Sequence, residues 1–387
     1  MNLFLPSQII ILTLSIGYLI TLLLIIAYEH KQLTKRIKYS FLLAKFIQII
    51  AWIGLGYGEG AYKSFFLGFS NSLLFISYTL EIIAFLTLKN MLHNVEKRLL
   101  YFFMVVSIIG FNLIIIINDT TALRIIFYSV VNAVIYLFMY RMVFSKGATA
   151  LMKLIGSLYL IVSFASVIRA VITAISSVPT SFYIPGTFQW TVVLAIYIFS
   201  NLGTIGFILL MKEEVDRDLY HFANFDDLTG VLNRRSFSTE TENKLRYYAK
   251  KRESITYVLF DVDHFKSIND TYGHLIGDKV LQNLTTIIKP FLQTNDLFGR
   301  YGGDEFALLL VDKNEQEATE IIKQINQSIK PLIVGELVVH YTISMGGITI
   351  APSNDTCLED VYISCDKALY TAKRNGRNIF VKGKLES

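Results

Sequence analysis

The chain has 387 residues, of which 53% are hydrophobic and only 17% charged, with a formal net charge of +5. So apolar a composition excludes a single soluble globule, and the length implies two or three domains. The modest net charge gives no reason to expect a nucleic-acid partner, and Cys357 and Cys365, lacking CxxC spacing and metal-ligand company, read as reduced thiols.

Charges thin out before about Met211 and crowd after it. The first part holds seven apolar stretches, at about 6–28, 39–57, 65–88, 99–117, 124–141, 151–174 and 188–210. Each is near the roughly 20 residues that span a hydrocarbon core. The first lacks a basic start and a small-residue cleavage site, so it reads as a span and not a signal peptide. The loops alternate in charge. "HKQLTKRIK", "LKNMLHNVEKR" and "YRMVFSKG" are basic, whereas "GYGEGAYKS" has one cation and "NDTT" and "SSVPTSFYIPGT" have none. The positive-inside rule then predicts an N-terminus outside and a C-terminus in the cytoplasm, which needs an odd number of spans. The short outer loops leave no room for an external ligand-binding domain, so a signal must be read in the bundle, at its mouth or from membrane lipid.

Lys45, Glu81 and Arg169 are ionisable groups inside spans, where charge is costly and functional by default. Lys45 and Glu81 fall at similar depth, roughly 10–12 Å above the cytoplasmic face at about 1.5 Å per residue, and are candidates to pair. Arg169, near the outer end of its span, is expected to snorkel. "MKEEVDRDLYHFANFDDLTG" then leaves the last span without proline or glycine until Gly230, as a continuing helix would. The expected organisation is a sensory bundle over 1–211, a helical linker over 212–225 and an α/β domain over 226–387.

From Ser254 the pattern alternates strand and helix, as in one α/β domain. "ITYVLFDVDHF" is a β-rich run ending in acids, "GDKVLQNLTTIIKPFL" and "EQEATEIIKQINQSI" have helical spacing, and "FALLLV" and "HYTISMGGITI" are strands. "LEDVYISCDKALYTAKRNG" is a helix stopping at glycine, and "NIFV" closes. In "GRYGGDEFALLL" the pair Gly302-Gly303 suits the two central positions of a hairpin turn, with Asp304 leading into the next strand. Asp261 ends the "YVLFDVD" run. If the two strands are neighbours, Asp261 and Asp304 converge, and paired strand-end carboxylates suit Mg²⁺.

"YGGDEF" resembles the signature of the GGDEF family of diguanylate cyclases. "DDLTGVLNRRSF", "FDVDHFKSINDTYGHLIGDKVL", "ISMGG" and "CDKALYTAKRNGRN" resemble further motifs of that family, in its order, over about 222–383. The resemblance implies a fold similar to nucleotide cyclase and polymerase palm domains. It implies that Asp261, Asp304 and the Val262 carbonyl bind Mg²⁺, with Mn²⁺ as an alternative, and that Glu305 is the second essential carboxylate, near a second metal or the attacking hydroxyl. By the same resemblance Lys266, Lys373 and Arg377 hold the triphosphate of GTP, Asn269 and Asp278 read the guanine edge, and Gly302 and Gly303 lie at the substrate. The implied reaction condenses two GTP into cyclic di-GMP with release of two pyrophosphates. A two-fold product needs two facing domains, hence a homodimer, in a bacterial cytoplasmic (inner) membrane and under control of the bundle and its unknown sensory ligand. Many relatives carry an Arg-x-x-Asp product-binding motif in the window "QTND"; here Gln293 replaces the arginine and Asp296 remains, which predicts weak feedback inhibition. The competing readings are an inactive domain serving as a nucleotide receptor, and a receptor or transporter with an accessory GGDEF domain. No phosphodiesterase-like sequence follows Ser387, so product degradation is not expected.

Overall fold

The computed structural model describes residues 7–27, 35–56, 62–175 and 187–385. The chain divides into two compact units, Met1–Val215 and Asp216–Ser387. The helices of the first are α1 (Ser7–Ala27), α2 (Lys35–Gly56), α3 (Lys63–Leu88), α4 (Asn94–Ile117), α5 (Thr121–Leu137), α6 (Tyr140–Phe144) and α7 (Ala150–Ile175). The helix α8 runs from Thr187 to Asn224. Every apolar stretch read from the sequence falls on a helix, but the expected span over 124–141 is interrupted at Phe138–Met139. There the main chain is approached by α7: a Cβ on Gly156 would lie 3.1 Å from the Met139 carbonyl oxygen. Among the described residues five helices are long and apolar enough to cross a membrane, namely α2, α3, α4, α5–α6 taken as Thr121–Phe144, and α7. The loop segments 28–34, 57–61 and 176–186, on which part of the loop-charge reasoning rests, lie outside the described residues.

These helices turn large apolar side chains outward, Phe102 at 68% exposure and Ile117 at 77% among them, which in water would be an aggregation surface and in lipid is the solvated one. Their interior is aromatic: Phe41 stacks on Phe207 at 3.8 Å, and Phe85 meets both edge-on. At its centre the two candidate residues do pair. Lys45 Nζ is 2.9 Å from Glu81 Oε2, with side chains 1% and 5% exposed. Gln48 donates to the same oxygen at 2.8 Å, and the Tyr159 hydroxyl donates to Oε1 at 2.6 Å. A buried charge pair survives in a low dielectric when its remaining lone pairs are also met, as here.

The second unit is built on a six-stranded sheet in the order β1-β3-β4-β2-β7-β8. Its strands are β1 (Leu232–Asn233), β2 (Ile255–Val262), β3 (Leu297–Gly302), β4 (Glu305–Leu310), β7 (Ile343–Ile350) and β8 (Phe380–Lys382), while β5 (Leu332–Val334) and β6 (Leu337–Val339) form a separate hairpin. The helices are α9 (Arg234–Lys251), α10 (Phe265–Tyr272), α11 (His274–Ile288), α12 (Glu315–Ser328) and α13 (Leu358–Arg374). With α10–α11 as the first crossover and α12 in the second, β2, β3, β4 and β7 form a βαββαβ arrangement. β2 is buried along its whole length, the mark of a strand covered on both faces. Val258, Phe260 and Val262 face α11 and α12 in one core, and Ile255, Tyr257 and Leu259 face α9 and α13 in the other.

Candidate active site

Alternation along β2 places Asp261 at its end, and its neighbour in the sheet is β4: Asp261 pairs in register with Glu305. The hairpin differs from expectation by one residue. Gly302 still pairs with Glu305 as part of β3, so the central turn positions are Gly303 and Asp304. Gly303 adopts a positive φ of 49°, and a register shift between Arg300 and Gly302 accompanies it, the local irregularity that re-aims a strand end. Asp304 is thus held at the tip, half-buried, and Glu305 begins the strand, exposed. The hairpin is braced from below. Arg300 donates to the Gly303 carbonyl through Nε and Nη2 at 2.9 and 2.6 Å, and through Nη1 to Asp226 at 2.9 Å. Burial works against the Asp226 charge, yet hydrogen bonds from Thr229 and Arg300 hold its carboxyl below the usual range.

A cation reaches the acids from α13. Gly346 of β7 has that helix packed directly on its main chain: a Cβ there would lie 2.1 Å from the Leu369 nitrogen and 2.6 Å from the Cys365 carbonyl oxygen. So close a seat brings Lys373, in the last turn of α13, to 2.8 Å from Asp261 Oδ2. Burial pushes the Asp261 carboxyl up, Lys373 opposes this, and the charges of Asp304 and Glu305 add to the rise, leaving it at about 6. Beside this pair an open cleft of about 410 Å³ is lined by Glu305 and the α13 residues from Asp366 to Lys373.

Asn269 of α10 packs against the start of α11, next to Asp278 in sequence: its Oδ1, buried and with no donor, lies 1.9 Å from where a Cβ on Gly277 would stand. Lys266 and Arg377 are exposed, and among the described residues no hydrogen bond or ion pair ties either to the acids. Two side chains that the sequence reading passed over organise the site. Asp263, 5% exposed, accepts from Thr342 Oγ1 and Ser344 Oγ at 2.6 Å each and from the Asn378 main-chain nitrogen at 3.1 Å, fastening the end of β2 to the loop after α13. Arg300 is the other. The alternating acids of "FDVD" were the available signal for Asp263; its partners lie 79 and 81 residues away.

The donor set fits a divalent cation on its chemistry. Asp261, Asp304 and Glu305 offer hard oxygen ligands, three carboxylates beside the one lysine that pairs with Asp261. Among the described residues no three His, Cys, Asp or Glu side chains form a ready-made cage, as expected where substrate phosphates complete a Mg²⁺ shell.

Asp296 is not available as the product-binding motif would require. Its side chain is fully buried and accepts from Lys313 Nζ at 2.9 and 3.0 Å and from the main-chain nitrogens of Gln293 and Val311 at 2.8 and 2.9 Å. It caps its own loop.

Residues 223–379 match the family profile described as "Diguanylate cyclase, GGDEF domain". Probable diguanylate cyclase DgcC of Escherichia coli K12 is 34% identical over 166 residues, covering 43% of this chain and 44% of that protein. A diguanylate cyclase of Vibrio cholerae serotype O1 is 33% identical over 165 residues, 43% of this chain and 51% of that one. The chain thus spans about half the length of the curated relatives it matches. A crystal structure of the coiled coil and GGDEF domain of DgcB from Caulobacter crescentus with c-di-GMP is 25% identical and covers 46% of this chain and 93% of that chain, with a TM-score of 0.43. The second unit contains a GGDEF domain.

Proposed function

We propose that this protein is a membrane-bound diguanylate cyclase, converting two GTP into cyclic di-GMP and two pyrophosphates under control of its N-terminal bundle. The observation that carries the reading is the convergence of Asp261 and Glu305 on paired strands, with Asp304 at the adjoining turn and Lys373 on Asp261. Mg²⁺, with Mn²⁺ as an alternative, would be held by Asp261, Asp304, Glu305 and the Val262 carbonyl, and would supply charge neutralisation at the reacting phosphate. The residues divide the remaining work. Asp261 holds Lys373 in place before substrate arrives, and the lysine can then turn to a phosphate oxygen, its stronger anionic partner. Lys266 and Arg377, exposed and unencumbered by the acids, would clamp the triphosphate. Asn269 presents a buried acceptor beside Asp278, matching the N–H donors of a guanine edge. In each half-reaction a ribose 3′-hydroxyl gives its proton to Glu305 or solvent as its oxygen bonds to the α-phosphorus of the facing GTP, the α–β phosphoanhydride breaks, and pyrophosphate leaves with that electron pair. Two half-reactions close the ring, so two domains must face each other as a homodimer. The five candidate spans and the alternating loop charge support a multi-pass protein of the bacterial inner membrane, N-terminus outside and catalytic domain in the cytoplasm.

The test is product analysis with the full chain in nanodiscs, Mg²⁺ and GTP. Cyclic di-GMP with two pyrophosphates per product, lost in Glu305→Ala, is expected. GTP retained unchanged on the protein would contradict catalysis and leave a nucleotide receptor.

A further inference from the structure

The bundle holds an open pocket of about 340 Å³ lined by α1, α2, α3, α5, α7 and α8. Four tyrosines, Tyr18, Tyr78, Tyr128 and Tyr136, stand in its wall among aliphatic and polar side chains. Two amide oxygens in its lining have no donor, Gln48 Oε1 and Asn132 Oδ1, on side chains only 1% and 8% exposed. A buried acceptor without a partner is costly, so such an atom marks a place where something else donates. The orientation of Gln48 is fixed, because its nitrogen must donate to the Glu81 carboxylate at 2.8 Å; Oε1 can therefore only accept.

We infer that this cavity binds a neutral, planar organic molecule carrying N–H or O–H donors, its ring between the tyrosines and a donor on Gln48. The volume is at the small end of ligand pockets, suited to one or two fused rings. Neutrality follows from the charges at the wall. The Glu81 charge is already answered by Lys45, with Gln48 and Tyr159 donating to it as well, so it offers an incoming ammonium no unpaired carboxylate. Arg169, half-buried, also lines the cavity and would repel a cation. A simple anion would pair with Arg169 but carries no donor for Gln48 Oε1 and Asn132 Oδ1, and would leave both facing like charge. An acyl chain would leave both amide oxygens unmet.

Equilibrium binding to the full chain in nanodiscs decides this, with radiolabelled indole as the probe and empty nanodiscs as the control for partition. Saturable uptake of one indole per chain is expected, weakened at least about tenfold for 1-methylindole, whose donor is blocked, and by a similar factor in Gln48→Leu. Asn132→Leu serves as the second variant should Gln48→Leu not fold. Equal affinity for 1-methylindole would show an apolar void, tighter binding of tryptamine a cation site, and no saturable uptake of indole at millimolar concentration a cavity filled by water. Each of these overturns the inference.

Discussion

Asp261 carries its negative charge against its surroundings, and this can be measured apart from catalysis. Its carboxyl sits at about 6 instead of the ordinary 3.8. The folded state therefore holds that proton more tightly than the unfolded state, and stability falls as pH rises from about 4 through about 6, remaining lower above it. At about 1.4 kcal/mol per pKa unit the ceiling is about 3 kcal/mol, and solvent access at the cleft cuts this to about 1 kcal/mol. Asp261→Asn should thus raise the urea stability of the metal-free Asp216–Ser387 fragment by about 1 kcal/mol at pH 7.5 while abolishing cyclic di-GMP synthesis. A destabilised variant would show that the Lys373 pair outweighs burial. The fully buried Asp296, held by Lys313, is a different kind of acid, one whose charge is answered within the fold.

Among the elements, α13 depends on Gly346. Gly346→Ala would drive a methyl group into the helix main chain, which cannot yield as a side-chain tip can. A stability loss of at least about 2 kcal/mol and a fall in turnover of more than about tenfold are expected as Lys373 is displaced; wild-type turnover would mean that α13 shifts without moving the lysine. In the bundle, Lys45→Met should cost about 3–5 kcal/mol, because Glu81 is left charged in an apolar interior, whereas Lys45→Met with Glu81→Met should come close to wild type. Thermal unfolding in detergent reads both, and an additive double variant would contradict the pairing. These elements were unevenly legible. The apolar runs, the acid-tipped β2 and the glycine pair of β7 stand out because periodicity and residue type act locally. The break between α5 and α6 does not, since no proline marks it and the helix packed against it, at Gly156, comes later in the chain. The β5–β6 hairpin was passed over inside "IKPLIVGELVV", where Gly335 supplies the positive φ of its turn. The hairpin of the site was placed, but which two residues occupy its turn depends on the register shift at Arg300, and the roles of Asp263 and Arg300 on partners far along the chain.

At the scale of the whole molecule, the proposal makes one chain insufficient, because each domain brings one GTP to a two-fold product. Equal co-expression with Asp304→Ala should then lower activity per total protein to about one quarter, the fraction of dimers with two intact sites, and not to one half. The claim beneath all of this is that the acids of β2 and the β3–β4 turn hold a divalent cation together with a nucleotide. Electron paramagnetic resonance of Mn²⁺ with the full chain and a non-hydrolysable GTP analogue tests it most directly. One high-affinity Mn²⁺ signal that requires the nucleotide and disappears in both Asp261→Asn and Asp304→Ala is the result expected. Undiminished Mn²⁺ binding in those variants would place the metal elsewhere and contradict the account.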